Sequence, residues 1–214
     1  MKKSILFIFT ACFLFTTSCS DFLDEEHKTK YSSEYVFGTP EGLKLAVNAL
    51  YALQRYYAND TENATIFALE RGTDLAVTNG GTGNFYGIYD PNYLKPSASQ
   101  VGFMWRTMYQ IIGKANEIIA AAEDLEDTPS LRATVSEAKC FRAQSYFLLY
   151  RTFDRIWLNI QPTTAENVND PRDFHAASEK EVFDLIYEDL EYAITNLDWV
   201  SDEAGRFTQA AARH

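Results

Sequence analysis

The sequence predicts a mainly α-helical protein that carries one long irregular loop. Three observations predict this fold class. Several stretches repeat apolar residues at steps of three and four, two Thr-Pro pairs precede such stretches, and glycine and proline concentrate between residues 78 and 98. The first pattern is typical of one face of a helix, and a threonine followed by proline suits a helix start. With 214 residues, 46% of them hydrophobic, the chain can bury the core of one domain.

The N-terminus has the parts of an export signal. Lys2 and Lys3 precede "SILFIFTACFLFTTS", which contains no charged residue and ends in small polar residues. Its most apolar part, residues 5–15, is about half the length that spans a bilayer. The residues before Cys19 resemble a bacterial lipobox, although Thr16 stands where an aliphatic residue is usual. We therefore predict a lipoprotein signal peptide over residues 1–18, with lipid attached to the sulfur of Cys19.

The segment after Cys19 is acidic. "SDFLDEEHKTKYSS" has four acidic residues among its first seven and no sustained period, so residues 19–38 are interpreted as an extended tether leading away from a membrane surface. The formal net charge of -11 argues against nucleic acid as a partner.

Cysteine and histidine usage indicates neither a disulfide framework nor a metal site. Cys12 leaves with the signal and Cys19 is lipidated, so Cys140 remains alone in an apolar helical context that favours a buried structural thiol. The three histidines show no ligand spacing, and the sequence predicts no cofactor.

The helical domain is predicted over residues 39–214. Thr39 and Pro40 open a helix whose apolar face is Leu43, Val47, Leu50 and Leu53, and "ENATIFALERG" predicts a shorter helix running toward Gly72. A long helix follows from residue 99 to the acidic "EDLEDTP". Thr128 and Pro129 begin another, whose second half is apolar nearly all round and is therefore expected to be central.

After a polar connection, Ser178 and Glu181 form a capping box before an amphipathic helix. Thr208 can open a further helix near the chain end. Antiparallel helices of this length are the unit of an α-solenoid, and we expect the chain to be part of a longer protein.

Between these helices, "TNGGTGNFYGIYDPNYLKPSA" contains four glycines, two prolines and four aromatic residues. This composition predicts a long loop or a loop with a short hairpin, and its aromatic residues argue against disorder.

Several helix side chains that could contact a ligand are better explained by a structural role. Trp105, Tyr109 and Asn116 share one helix and are interpreted as core packing with a satisfied amide. Arg142, Tyr146 and Arg151 could hydrogen-bond a ligand, but we favour the interpretation that an arginine here ties helices to buried backbone.

A glycosidase would need a pair of carboxylates, and Glu70 with Asp74 is the candidate pair. Such a pair arises by chance in a chain with 30 acidic residues, and no nucleophile or metal cluster accompanies it. The sequence therefore predicts a protein that is not an enzyme.

Six motifs in order resemble the SusD-like (RagB/SusD) nutrient-binding lipoproteins of the outer membrane of Bacteroidetes. They are "CSDFLDEE", "LKLAVNALYALQ", "RGTDLAV", "WRTMYQIIGKANEII", "EAKCFRAQSYFLLYRTF", and "SEKEVFDLIYEDLEYAI" followed by "GRFTQAAA". The chain departs from the family at Asp154, where members commonly have glycine, and in "IWLNIQP", which replaces a V-P-L-type segment.

The resemblance implies a helical fold with tetratricopeptide-like helix pairs, truncated at the C-terminus. It implies a lipid-anchored protein on the outer membrane that captures a glycan or other nutrient for a SusC-like TonB-dependent transporter. The alternative is a helical-repeat scaffold whose ligand is a protein.

The loop supplies the candidate ligand contacts. Tyrosine rings stack on the C-H faces of sugars while amides take hydroxyl groups, and the candidates are Asn79, Asn84, Tyr86, Tyr89 and Tyr93. The same tyrosines could instead pack the loop onto the helices or onto the transporter, and the sequence leaves both possibilities open.

Overall fold

The computed structural model describes residues 31–59, 99–164, 166–171 and 174–214. Several predictions lie outside these residues: the signal peptide over 1–18, Cys19, most of the tether, the short helix before Gly72, and the loop over 78–98. In the described part of the chain the regular structure is all helical.

Six helices form the fold, and we number them in chain order. They are α1 (Ser33–Gly38), α2 (Pro40–Asn59), α3 (Ser99–Ala122), α4 (Pro129–Phe153), α5 (Glu179–Asn196) and α6 (Gln209–Arg213). The predicted fold class is confirmed, and the four long helices begin and end within a few residues of the positions that the sequence predicts.

Hydroxyl side chains satisfy the free N–H groups at the helix starts. The Thr128 hydroxyl accepts a hydrogen bond from the backbone N–H of Leu131 at 3.2 Å, and Pro129 occupies the first turn of α4. Ser178 and Glu181 form the full capping box predicted for α5, and Thr208 caps α6. These contacts confirm the predicted starts, because each cap satisfies N–H groups that lack a partner within the helix.

The prediction of an extended tether is wrong for its last six residues, because Ser33–Gly38 is helical. Helix α1 is held against the start of α2, where the Thr39 hydroxyl donates to the Tyr35 carbonyl at 2.8 Å. Gly42 is required at this contact, because a Cβ there would overlap the Tyr35 carbonyl oxygen and lie 2.6 Å from the Val36 Cα.

Helix α4 is the central element, as its sequence predicts. It contacts α2, α3 and α5, and thirteen of its 25 residues are buried. Leu43, Val47 and Leu50 of α2 are fully buried in the same core. Cys140 is also buried, at 2% exposure, which confirms its interpretation as a structural thiol. Among the described helices, none is long and apolar enough to cross a membrane.

The connection from α4 to α5 begins with a strained turn at Asp154. Its φ of 62° and ψ of -52° are unusual for a residue with a side chain, and the Arg155 N–H donates to the Phe153 carbonyl across it at 2.6 Å. Glycine, which the resemblance leads us to expect here, would adopt this geometry without strain. Further along, the Ala177 N–H donates to the Ile156 carbonyl at 2.8 Å and closes the connection.

Candidate functional site

Two long connections leave the helical bundle at the same end. Near the end of α2, Tyr57 stacks on Phe103 near the start of α3, with ring centroids 6.4 Å apart. Phe153, the last residue of α4, packs edge-on against Trp105 of α3 at 5.0 Å. The ends of α2 and α4 therefore lie beside the start of α3, at what we call the loop end.

The predicted ligand residues belong to the first of these connections. Asn79, Asn84, Tyr86, Tyr89 and Tyr93 all lie outside the described residues, so their contacts stay predictions. The structure fixes the helix ends that flank them, at the loop end.

The second connection is fastened to the helices by hydrogen bonds. The Tyr109 hydroxyl accepts from the backbone N–H of Trp157 at 2.9 Å and donates to its carbonyl at 2.8 Å. The Tyr146 hydroxyl makes the same pair of bonds with Asn159, both at 2.8 Å. The Asn116 amide donates to the Asn159 carbonyl at 2.7 Å. A segment without regular structure thus has its buried backbone groups satisfied by side chains.

An aromatic row runs from α3 onto this connection. We use "aromatic row" for Phe153, Trp105, Tyr109, Trp157 and Phe174, whose successive ring centroids lie 5.0, 4.8, 6.3 and 4.8 Å apart. The row ends at Phe174, which is 71% exposed. The loop end therefore presents an apolar ring to solvent, and this ring packs on Trp157, whose backbone the Tyr109 hydroxyl holds in place.

Behind the loop end, one buried carboxylate joins three helices. Asp189 of α5 is fully buried and accepts hydrogen bonds from Arg142 Nε at 2.7 Å, Arg142 Nη2 at 2.8 Å and Lys139 Nζ at 2.8 Å. Arg142 Nη1 donates to the Asn116 side-chain oxygen of α3, also at 2.8 Å. Because Asn116 in turn holds Asn159, these contacts link the core to the second connection.

The predicted roles of the polar helix residues are partly confirmed. Trp105 and Tyr109 pack against other rings and the Asn116 amide is satisfied, as predicted. Arg142 ties helices together, but the prediction of buried backbone as its partner is wrong, because it binds the side chains of Asp189 and Asn116. Arg151 takes no part, since it is exposed and lies over the Phe147 ring at 5.3 Å.

Sequence reasoning missed Asp189 and the two aromatic residues of the second connection. Val182, Ile186, Asp189 and Ala193 recur at steps of four, three and four on α5, so Asp189 stands within the apolar stripe. A carboxylate in such a stripe signals a buried ion pair. The sequence pattern places Trp157 and Phe174 only within a polar connection, with no signal for their ring contacts.

The protonation states favour hydrogen bonding over acid-base chemistry. Burial, with smaller effects of Asp189 and Glu137, raises the pKa of the Cys140 thiol to about 12. Burial likewise raises the pKa of the Tyr109 and Tyr146 hydroxyls. A thiol that stays protonated at neutral pH is a poor nucleophile. In the described ranges, no three side chains of His, Cys, Asp or Glu group together as metal ligands, and Glu70 and Asp74 lie outside those ranges.

The described residues thus define a helical protein whose buried polar groups serve hydrogen bonding between helices and the second connection. The family model SusD-like_3, described as "Starch-binding associating with outer membrane", matches residues 21–213. The chain belongs to this SusD-like family, and the predicted resemblance is confirmed.

Relatives agree with this assignment. A SusD-like protein of Bacteroides ovatus is 27% identical over all of this chain and 38% of its own length. SusD-like protein P2 of Formosa agariphila is 29% identical over 94% of this chain and 39% of its own length. A solved structure named "Laminarin binding SusD-like protein" is 27% identical over 81% of this chain and 38% of that chain, with a TM-score of 0.69. The chain thus spans about two fifths of the length of the relatives it matches.

Proposed function

We propose that this protein is a cell-surface lipoprotein that binds a glycan and delivers it to a SusC-like TonB-dependent transporter. The observation that carries the proposal is the similarity to a SusD-like protein named for laminarin binding, at 27% identity and a TM-score of 0.69. The family description names starch binding and association with the outer membrane, which supports the same proposed function.

The loop end is the proposed binding surface. The helix ends that flank residues 60–98 lie at this end, where Tyr57 packs on Phe103. The candidate ligand residues belong to that connection, and they are Asn79, Asn84, Tyr86, Tyr89 and Tyr93. Rigid aromatic rings and amides can bind a sugar without any catalytic group. The exposed Phe174 ring stands on the second connection at this end and enlarges the apolar surface.

The lipid anchor is the second part of the proposal. A signal peptide over residues 1–18 would place Cys19 first in the mature chain, followed by an acidic segment and then by the helical unit that starts at Ser33. Replacement of the cysteine, Cys19→Ser, should move the protein from the outer-membrane fraction to the soluble fraction. Membrane association that survives Cys19→Ser would contradict the anchor.

Affinity electrophoresis tests glycan capture. The purified protein should be retarded in gels that contain laminarin or another polysaccharide, and Tyr86→Ala or Tyr89→Ala should abolish the retardation. Tyr187→Ala is a matched control, because Tyr187 is 59% exposed on α5 and lies outside both connections.

The test also separates the alternatives. Binding to a co-purified transporter with no retardation by any polysaccharide would favour the protein-binding scaffold over glycan capture. Release of sugar from a polysaccharide by the purified protein would contradict a purely binding role.

A further inference from the structure

A second cleft lies at the end of the bundle opposite the loop end. Its volume is about 380 Å³, and its walls come from the last turn of α3, the turn at residues 123–128, the first half of α4, and Tyr192 of α5. Clefts of this size hold small molecules in many proteins. Ile119, Lys139 and Tyr192 of this cleft lie within the sequence motifs quoted above, but the proposed glycan surface does not include the cleft.

Among the described residues, the buried cluster behind this cleft contains two cations and one carboxylate. Lys139 and Arg142 both bind Asp189, and the side chains of the three are 11%, 6% and 0% exposed. Two cations therefore share one carboxylate, and Asn116, the remaining partner of Arg142, is neutral. A buried charge without a counter-charge is costly, so this cluster favours the approach of an anion.

Lys139 connects the cluster to the cleft. Its side chain lines the cleft, and its ammonium group, which has three N–H donors, makes one hydrogen bond to Asp189. The same ammonium lies 5.2 Å from the centre of the Tyr192 ring, which also lines the cleft. A donor of a largely buried cation thus remains for a ligand.

Arg132 provides a second cationic side chain on the cleft wall. Its Nη1 contacts Asp127 Oδ2 at 2.8 Å, but the Asp127 side chain is 74% exposed. Such a surface pair is weak, because water and salt screen it. Asp127 and Glu123 both line the cleft, but both are exposed, so water and salt screen their negative charges, whereas Lys139 is buried. Between the polar groups, Leu131 and Val135 form an apolar wall.

We propose that this cleft binds a small organic carboxylate. The ligand's carboxylate accepts hydrogen bonds from Lys139 Nζ and the Arg132 guanidinium, and its carbon skeleton lies against Leu131, Val135 and the Tyr192 ring. A sugar acid such as glucuronate has this chemistry, and so does a short aliphatic acid. The site is separate from the loop end, so it does not depend on the proposed glycan surface.

Calorimetric titration at low ionic strength tests the proposal with three probes: glucuronate, butyrate and glucose. Glucuronate or butyrate should bind and glucose should not. Tighter binding of glucuronate assigns a sugar acid, and equal or tighter binding of butyrate assigns an aliphatic acid. Lys139→Met and Arg132→Gln should each weaken carboxylate binding by about tenfold or more, since each removes a charge-assisted hydrogen bond.

Lys180→Met is the matched control, because Lys180 is 82% exposed on α5 and should leave binding unchanged. Arg132→Gln changes a partly exposed side chain, so it keeps the test valid if Lys139→Met fails to fold. Tyr86→Ala should leave carboxylate binding intact, which separates this site from the glycan surface. The proposal is overturned if neither acid binds, or if binding is unchanged in Arg132→Gln.

Discussion

Arg142 of α4 and Asp189 of α5 form a two-point ion pair that is almost entirely removed from water. The Nε to Oδ2 and Nη2 to Oδ1 distances are 2.7 and 2.8 Å, and the side chains are 6% and 0% exposed. Because Arg142 also binds Asn116, and Asn116 holds the backbone of Asn159, this pair links three helices to the connection at the loop end.

Asp189→Asn should destabilise the protein strongly. The substitution keeps the side-chain shape but leaves Lys139 and Arg142 buried without a counter-charge, and we expect the free energy of unfolding to fall by about 3–5 kcal/mol. Urea denaturation followed by circular dichroism measures the loss. Asp184→Asn removes an exposed partner of Lys180 on the same helix. This substitution should change the free energy of unfolding by less than about 0.5 kcal/mol. Equal effects of the two substitutions would contradict the assigned role.

Asp154→Gly should stabilise the protein. Asp154 has a φ of 62°, a conformation that costs a residue with a side chain about 1–3 kcal/mol, while glycine adopts it freely. After the entropy that glycine adds to the unfolded chain, a net gain of about 1 kcal/mol is expected, visible as a higher melting temperature. Asp170→Gly, at an exposed bend without positive φ, should lower the melting temperature or leave it unchanged. A fall with Asp154→Gly would show that the turn is not strained.

Gly42→Ala and Gly113→Ala should have opposite effects, although both glycines lie in helices. An added Cβ at position 42 meets the backbone of Tyr35 and Val36, and we expect a loss of about 1–3 kcal/mol. At position 113, among the described residues, nothing beyond the neighbouring residues and backbone of the same helix lies within 4 Å of the added Cβ. The better helix propensity of alanine should therefore stabilise by up to about 1 kcal/mol. Thermal unfolding of both variants gives the comparison, and a stabilised Gly42→Ala variant would rule out the close α1 contact.

Tyr57→Phe should stabilise the protein, and more so in alkali. Within the described residues, the Tyr57 hydroxyl is buried without a hydrogen-bond partner, and its removal should gain about 1 kcal/mol. Burial raises the Tyr57 pKa to about 12, so the folded state holds this proton more tightly than the unfolded state does. The contribution of the Tyr57 proton to the free energy of unfolding is therefore fully present below about pH 10. This contribution is lost as the pH rises toward 12.

Denaturation at pH 7 and pH 11 measures the difference in free energy of unfolding between Tyr57→Phe and the unchanged protein. The advantage of Tyr57→Phe over the unchanged protein should grow between the two values. Tyr56→Phe changes a neighbouring side chain that is 59% exposed. Its effect on the free energy of unfolding should not increase between the two pH values. An advantage for Tyr57→Phe that is the same at both pH values would contradict the effect of burial.

Local sequence patterns were sufficient to predict the four long helices and the residues that cap them. The cap at Thr128, the capping box of Ser178 and Glu181, and the apolar face of Leu43, Val47 and Leu50 depend on residues a few positions apart, which the sequence displays directly. Helix α1 was missed because its six residues carry no apolar period. Its position against α2 depends on a backbone contact at Gly42.

The sequence by itself determined the mainly helical fold, the family, and the chemical type of the loop that carries the candidate ligand residues. Only the tertiary structure decided that Asp189 is the shared partner of Lys139 and Arg142, because α4 and α5 bring together residues 47 to 50 positions apart. It also decided that Asp154 has a positive φ. Charge pairing and backbone strain arise from packing between distant segments, and no local pattern records which segments meet.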